Sequence, residues 1–144
     1  MDAATYSGPI LVTAAYFGLW YYLLLGLQRG AKYALRDEYA ARGEVFDRYF
    51  GQDRRMLAVD RAVINTHEQM GPFLATMWLH AVFVSTLSAT VLGGAYVTLR
   101  TIYPFLLGKS VSELQSKRVV LATIPAYLIV LYLGGSTVFA ALTG

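Results

Sequence analysis

Long apolar runs alternate with polar stretches along the chain. The first run, residues 9–27, has no charged residue over 19 positions, close to the roughly 20 that a helix needs to cross a hydrocarbon layer about 30 Å thick. Later runs of the same kind predict three further spans. The pattern therefore predicts one all-α domain over residues 1–144, an integral membrane four-helix bundle. Its spans are expected at about 9–28, 58–84, 87–107 and 118–142.

The second and third spans are predicted from one apolar stretch. Residues 71–107 would form a helix about 55 Å long at roughly 1.5 Å per residue, which is too long for a single span. We expect two helices joined by a tight turn within residues 84–89, where hydroxyl side chains can bond freed backbone groups. On the third helix, Gly93 and Gly94 offer small surfaces that allow neighbouring helices to approach closely.

Two polar connections are predicted, at 29–57 and 108–117. In the first, charged residues recur at helical intervals among aromatic ones, which predicts an extension of the first helix followed by an amphipathic turn or short helix. Gly43 and Gly51 are the expected breaks. Nothing in this segment resembles a nucleic-acid-binding motif, so we expect no nucleic-acid partner.

The basic residues lie on one side of this predicted topology. Eight of the 12 fall within residues 28–61 and the other four within residues 100–118, whereas the N-terminus, the turn between spans two and three and the C-terminus carry none. Cytoplasmic connections of membrane proteins are enriched in lysine and arginine. Both polar connections are therefore expected to face the cytoplasm, with both termini on the non-cytoplasmic side.

Composition supports a membrane protein and limits its chemistry. The 144 residues are 56% hydrophobic and 15% charged, whereas a soluble domain carries about 25% charged residues. The chain has no cysteine, which excludes a disulfide framework, a thiolate metal site and a cysteine nucleophile. Any thiol chemistry must therefore come from a ligand.

A polar stripe lies at the start of the second span. Arg61, Asn65 and Glu68 are spaced i, i+4 and i+7, which places a cation, an amide and an anion on one helix face. Such groups cost about 2.5 to 3.5 kcal/mol each at the bilayer centre, so they are expected to face protein, water or a ligand rather than lipid. The open alternative is an interfacial Arg–Glu pair that only stabilises helix packing.

The predicted topology gathers several polar residues at the cytoplasmic membrane face. They are Arg29, Arg61, Asn65, Glu68, Arg100, Tyr103 and Arg118. Arginine forks bind carboxylates and Glu68 suits a ligand ammonium, so this set fits a small zwitterionic ligand with several carboxylates. An apolar second substrate would reach the pocket from the surrounding lipid.

These motifs resemble those of the MAPEG family, the membrane-associated proteins in eicosanoid and glutathione metabolism. The resemblance rests on Arg61-x-x-x-Asn65-x-x-Glu68 and on Arg100-x-x-Tyr103 at the end of the third span. It covers essentially the whole chain. It implies a homotrimer of four-helix subunits that binds glutathione as a co-substrate, without a metal, between neighbouring subunits at the cytoplasmic face.

The resemblance also implies roles for individual residues. Arg61 and Asn65 would bind the carboxylate end and the backbone of glutathione, and Glu68 would bind its γ-glutamyl ammonium. Arg100 would hold another carboxylate. Tyr103 would cap the pocket from the third helix.

Two further arginines belong to the implied site. Arg118, at the start of the fourth span, is the candidate for the arginine that family members place beside the sulfur, and Arg29 is a further candidate contact for glutathione. A thiol has a pKa of about 8.5, and a hydrogen-bonding arginine at low dielectric favours the thiolate enough to make attack practical at neutral pH. His67 and His80 are expected to pack between helices rather than to act as bases.

The sequence departs from the leukotriene C synthases of this family at Gln69 and Leu107, where those enzymes have tyrosines, which argues against leukotriene synthesis. The leading interpretation is a glutathione transferase for lipophilic electrophiles, a lipid-hydroperoxide reductase, or both. The alternative is a non-catalytic lipid-binding protein or an accessory subunit of a larger membrane complex, as the lipoxygenase-activating member illustrates. An unrelated four-helix transporter is disfavoured, because the sequence has no inverted repeat.

Overall fold

Four helices dominate the computed structural model, which describes residues 3–107 and 118–144. Helix α1 is Ser7–Ala41, α2 is Arg54–Phe83, α3 is Thr86–Leu107 and α4 is Arg118–Thr143. Neither described range contains a strand. The prediction of an all-α fold with four helices is confirmed, and the predicted connection 108–117 lies outside the described residues.

Helix α1 continues past the predicted span, as expected from the predicted extension of the first helix, and ends just before Gly43. It includes a π-helical segment, Tyr22–Gln28. Gly43 has a φ of 72°, and the N–H groups of Gly43 and Glu44 donate to the carbonyls of Ala40 (3.0 Å) and Tyr39 (2.9 Å). This is a Schellman motif, in which a left-handed glycine ends a helix. The break predicted at this glycine is confirmed.

The connection between α1 and α2 covers residues 42–53 and is ordered by two aspartates. The carboxylate of Asp47 accepts hydrogen bonds from the backbone N–H groups of Tyr49 and Phe50, both at 2.9 Å. The carboxylate of Asp53 accepts hydrogen bonds from the backbone N–H groups of Arg55 (2.9 Å) and Met56 (3.2 Å). Asp53 therefore caps the N-terminus of α2. Within the predicted polar connection 29–57, α1 continues to Ala41 and α2 begins at Arg54.

Helices α2 and α3 form a tight hairpin whose turn consists of Val84 and Ser85. The N–H groups of both residues donate to the carbonyl of His80, each at 2.9 Å. The Ser85 hydroxyl accepts from the N–H of Ser88 at 3.3 Å and thereby caps the start of α3. The turn falls within the predicted range of 84–89.

Aromatic side chains from three helices form the centre of the bundle. Tyr16 of α1, Phe73 of α2 and Tyr96 of α3 are each 0% exposed. The rings of Phe73 and Tyr96 stack with centroids 3.9 Å apart, and the ring of Tyr16 lies 5.3 Å from that of Phe73. The Tyr16 hydroxyl donates to the carbonyl of Thr66 at 2.7 Å, so its polar end is satisfied inside the core.

Close packing of α3 against its neighbours depends on Gly93. A Cβ atom at this position would lie 2.9 Å from Val12 of α1 and 3.0 Å from the sulfur of Met77 of α2, so a side chain would push the helices apart. A Cβ atom at Gly94 would meet nothing within 4 Å. Of the two glycines predicted to serve helix packing, Gly93 alone does so in the described structure.

Two of the described helices, α1 and α4, are long and apolar enough to cross a membrane. Their most apolar windows have mean hydropathies of 1.8 and 1.9. Large apolar side chains point outward from the bundle, among them Leu11 (69% exposed), Leu131 (69%) and Phe139 (68%). An exposed apolar surface of this kind suits a lipid environment.

Candidate functional site

Arg100 lies inside the bundle between α2 and α3, with 1% of its surface exposed. Its Nη1 donates to Oδ1 of Asn65 at 2.8 Å, and its Nε donates to the hydroxyl of Tyr96 at 3.2 Å. The guanidinium carbon lies 5.5 Å from the ring centroid of Tyr96 and 5.6 Å from that of Tyr103, within the range of cation–π attraction. We call Arg100 and these three neighbours the Arg100 site.

One end of the Arg100 guanidinium has no hydrogen-bond partner in the described part of the chain. Its Nη2 atom is buried and bonds to nothing among the described residues, and no carboxylate in those ranges forms an ion pair with the guanidinium. A buried donor without an acceptor costs about 1 to 3 kcal/mol, and more when it is charged. The Arg100 site therefore has unmet capacity for an anionic group.

The polar stripe of α2 lies beside the Arg100 site. Asn65 is half-buried and bonds the guanidinium, whereas Arg61 and Glu68 are exposed on the subunit surface. The charges of Arg61 and Glu68 are close enough to act on the phenol of Tyr103. They form no ion pair with each other, so the packing pair considered as an alternative is absent from the described part of the chain.

Arg118 is at the same end of the bundle, as the first residue of α4, and is exposed. The next residue, Val119, packs against a cluster that includes Ala62 of α2 and Tyr103 and Leu107 of α3. The start of α4 therefore adjoins the Arg100 site at Tyr103.

Arg29 is at the same end of the bundle but on a different face. It is exposed on α1 and contacts Tyr33, its guanidinium carbon 5.7 Å from the ring centroid. The neighbouring Gln28 donates to Asp60 of α2 at 2.8 Å, which aligns this part of α1 with the start of the polar stripe. Arg29 stands apart from the Arg100 site in the described structure.

A comparison with known protein families identifies the family of the chain. A sequence model of the MAPEG family matches residues 9–139, a range that contains the Arg100 site, the polar stripe and Arg118. The chain belongs to the MAPEG family. The resemblance carried by its motifs is thus confirmed, and this MAPEG protein is one of a family of membrane helical bundles linked to glutathione and eicosanoid metabolism. A search of curated proteins finds no match.

Tyr96 is a member of the site that the motifs of this MAPEG protein did not indicate. Its ring is fully buried and its hydroxyl accepts from Nε of Arg100. The sequence feature that could have assigned Tyr96 to the site is its spacing, because a residue four positions before Arg100 lies on the same face of α3. Within an apolar run, however, an aromatic residue at helical spacing is indistinguishable from an ordinary packing residue.

The two histidines of the MAPEG protein lie outside the Arg100 site. His80 is fully buried near the α2–α3 turn, with its Nε2 2.6 Å from Oγ of Ser88 and its Nδ1 2.8 Å from Oγ of Ser136 on α4. His80 therefore connects three helices. His67 is exposed, and its ring lies 5.7 Å from that of Trp20 on α1. These contacts agree with the packing roles expected for both histidines.

Proposed function

We propose that this protein binds glutathione at the Arg100 site and uses it as a co-substrate, transferring it to lipophilic electrophiles, reducing lipid hydroperoxides with it, or both. The observation that carries the proposal is the buried Arg100 whose Nη2 has no partner among the described residues. Glutathione has two carboxylates, and an arginine fork binds a carboxylate through parallel hydrogen bonds. Asn65 holds Nη1 and so fixes the guanidinium for this contact.

The exposed residues around the site suit the rest of the ligand. Glu68 takes the γ-glutamyl ammonium, Arg61 takes a carboxylate, and Tyr103 covers the pocket from α3. Asn65 uses Oδ1 to accept from Arg100, which leaves its amide N–H groups to donate to a peptide carbonyl of glutathione. Each polar group of the ligand thereby has a partner of opposite charge or complementary hydrogen-bonding type.

The exposure of Arg61 and Glu68 supports assembly of several subunits. Charged side chains that face lipid are costly, and a neighbouring subunit would cover them while completing the ligand site. We infer a homotrimer in which Arg29 reaches the ligand from the neighbour. Each subunit crosses the membrane four times, with both polar connections in the cytoplasm and both termini on the other side. Native mass spectrometry from detergent is expected to show a three-subunit species; a monomer alone would contradict the shared site.

The reaction proceeds through the glutathione thiolate. Arg118 hydrogen-bonds the sulfur and stabilises the anion, so the thiol loses its proton near neutral pH. The thiolate attacks an electrophilic carbon and forms a thioether, either displacing a leaving group as its anion or adding to a polarised carbon–carbon double bond, whose carbanion then takes a proton from water. With a hydroperoxide it attacks the terminal oxygen and releases the lipid alcohol, and the resulting sulfenic acid condenses with a second glutathione to give the disulfide and water. Neither reaction needs a metal, and the described residues hold no group of three metal-binding side chains.

A second candidate function is non-catalytic lipid binding, alone or as an accessory subunit of a membrane complex. The observation that favours it is an apolar cavity of about 450 Å³ between the C-terminal half of α1 and the N-terminal half of α2, with Pro104 and Phe105 of α3 in its wall. Its size and lining suit an acyl chain. In the catalytic proposal this cavity holds the lipophilic acceptor instead.

Isothermal titration with glutathione of the detergent-solubilised protein tests the proposed function. We expect saturable binding that Arg61→Ala weakens. Arg54→Ala is the matched control, because it removes an exposed cation from the first turn of the same helix, two turns before Arg61, and should leave binding unchanged. Failure of the parent protein to bind glutathione, combined with saturable uptake of a long-chain fatty acid, would replace the catalytic proposal with lipid binding.

A further inference from the structure

Alanines from two helices line the apolar cavity of about 450 Å³. Ala31 and Ala34 belong to α1, and Ala58 and Ala62 belong to α2. Their short side chains leave space that larger residues at the same positions would fill, since helices in a bundle otherwise pack closely. The volume lies within the usual range for ligand pockets, about 300 to 1,000 Å³.

The cavity-lining positions of α1 share one side of that helix. Leu27, Ala31, Ala34 and Glu38 are spaced i, i+4, i+7 and i+11, and residues at this spacing lie on one helix face. Arg29 follows Leu27 by two positions, a rotation of about 200° around the helix axis. The cavity is therefore separate from the side of α1 whose arginine is proposed above to reach the ligand of a neighbouring subunit.

Two charged residues, Glu38 and Arg55, line the cavity and bind each other. Arg55 donates from Nη1 to one carboxylate oxygen of Glu38 at 2.7 Å and from Nη2 to the other at 3.2 Å. Its Nη2 also donates to Asp53 at 3.4 Å. Both terminal nitrogens of the guanidinium are thus already bound to carboxylates, and a carboxylate of a ligand would have to displace one of them.

The ion-pair network around Glu38 carries a net negative charge. Glu38 also accepts from Arg42 at 2.9 Å, and Arg42 pairs with Glu44 at 3.2 Å. In these contacts two arginines meet three carboxylates, those of Glu38, Glu44 and Asp53, which leaves one negative charge in excess. An anionic group of a ligand beside Glu38 would be repelled, whereas a hydroxyl could donate to its oxygens without adding charge.

The cavity lining connects this salt bridge with the surroundings of the Arg100 site. Arg55 and Ala62 both line the cavity and are seven residues apart on α2, which is about 10 Å along a helix. Ala62 packs in one cluster with Tyr103, a member of the Arg100 site. A ligand in the cavity could therefore place one end near the proposed glutathione site and the other beside Glu38.

We propose that this cavity selects uncharged lipophilic acceptors over ionised ones and that Glu38 determines the selection. The alkyl chain lies along the alanines, the reactive group lies nearest Ala62, and an uncharged polar end such as a hydroxyl donates to Glu38. A fatty acid binds more weakly, because its carboxylate meets the negative network. The inference rests on the proposed function, in which this cavity holds the acceptor.

Native mass spectrometry of the delipidated protein in detergent compares hexadecanol with palmitate at about pH 9, well above the ordinary pKa of a carboxyl group. Hexadecanol is expected to bind about fivefold more tightly. Glu38→Gln should abolish this preference and Arg55→Gln should increase it. Both variants break the same salt bridge, so a purely structural effect of its loss would shift the affinity ratio in one direction only.

Glu44→Gln is the matched control, because it removes a carboxylate of the same network that does not line the cavity. It should change the affinity ratio by less than about twofold. Equal affinities of the parent protein for the two ligands, or shifts in the same direction in Glu38→Gln and Arg55→Gln, would overturn the proposal.

A neighbouring subunit is the competing occupant of the cavity, and a cavity-filling substitution distinguishes it from lipid. Ala34 is exposed and lines the cavity, so Ala34→Leu should weaken binding of both ligands by about tenfold. Ala40→Leu, at an exposed position of the same helix outside the lining, should bind them as the parent does. Equal effects of the two substitutions would place the lipids elsewhere and overturn the proposal.

These measurements are made without glutathione, which separates the two proposals. Selective binding of hexadecanol by a protein that does not bind glutathione would contradict the proposed function alone. Glutathione binding by a protein that does not distinguish hexadecanol from palmitate would contradict this inference alone.

Discussion

Arg100 donates a 2.8 Å hydrogen bond to Asn65 and thereby joins α3 to α2 inside the bundle. The bond fixes one end of a guanidinium that is 1% exposed, while Nη2 at the other end has no partner among the described residues. The same amide thus contributes to stability and, in the proposed function, to ligand binding. These two contributions can be measured separately.

Asn65→Ala is expected to destabilise the folded protein by about 1 to 3 kcal/mol, because Nη1 of Arg100 is then buried without an acceptor. Chemical unfolding in mixed micelles, followed by helical circular dichroism, measures the change. Gln69→Ala is the control, since this half-buried amide on α2 has no side-chain hydrogen bond within the described residues. It should change stability by less than about 0.5 kcal/mol. Equal effects of the two substitutions would show that the Asn65–Arg100 bond adds no stability.

Glu68→Ala is expected to weaken glutathione binding about 30-fold, because it removes the partner of the ligand ammonium from a desolvated site. Stability should change little, since Glu68 is exposed and forms no ion pair within the described chain. Isothermal titration gives the affinity, and Glu44→Ala, an exposed carboxylate in the α1–α2 connection, is the control. If Glu68→Ala binds glutathione as tightly as the parent, the polar stripe is structural.

His80→Ala is expected to lower stability by about 1 to 3 kcal/mol, because it removes two hydrogen bonds that join α2 to α3 and α4 and leaves a cavity in the bundle interior. Thermal unfolding in detergent measures the loss. His67→Ala, at an exposed position, is the matched control and should be close to neutral. Glutathione affinity should be unchanged in both variants; a loss of affinity in His80→Ala with no loss of stability would assign this histidine a role in binding.

The α1–α2 connection is expected to lose order in acid. The backbone N–H groups of Phe50 and Tyr49 donate to Asp47 and lower the pKa of its carboxyl. A carboxylate with a lowered pKa stabilises the folded turn above its unfolded pKa of about 3.9, and this contribution is lost as the pH falls through the folded value. Hydrogen-exchange protection of the Tyr49 and Phe50 amides, which donate directly to Asp47, should therefore fall below about pH 4. Asp47→Asn should remove most of this pH dependence, and protection that is constant down to pH 3 in the parent would contradict it.

Local features of the fold were predictable because each depends on nearby residues. Apolar periodicity indicates four helices, the length of the run 71–107 requires a turn, and Gly43 ends α1 because it alone adopts a positive φ there. The motif residues Asn65 and Arg100 were likewise recognisable from the sequence. Their direct bond, between residues 35 apart, was not.

Other features depend on tertiary contacts that leave no local signal. The pairing of Arg48 with Asp60 folds the α1–α2 connection back along the helices, whereas either residue could equally have stayed on a solvated face. Tyr96 belongs to the site for a similar reason, since the helical period does not reveal which buried aromatic contacts a charged side chain.

Arg118→Ala is expected to leave glutathione affinity within a few-fold while raising the pKa of the bound thiol, because it removes stabilisation specific to the anion. Turnover with a generic electrophile at neutral pH should fall as the pKa of the bound thiol rises. Arg118→Lys should restore only part of the lost thiolate stabilisation, because the ammonium of a flexible lysine side chain does not reproduce the planar guanidinium with its several N–H donors. The pH dependence of turnover measures the shift. An unchanged profile in Arg118→Ala would place the activating group elsewhere, with Arg100 the next residue to test.

Ultraviolet difference absorbance of the glutathione thiolate decides whether the parent protein activates its ligand. The protein in detergent is titrated with glutathione at neutral pH, where the free thiol is mostly protonated. We expect a saturable thiolate signal that is absent with S-methylglutathione, which has no ionisable thiol. Saturable binding of glutathione by calorimetry with no thiolate signal would contradict the catalytic function and leave a protein that binds glutathione without activating it.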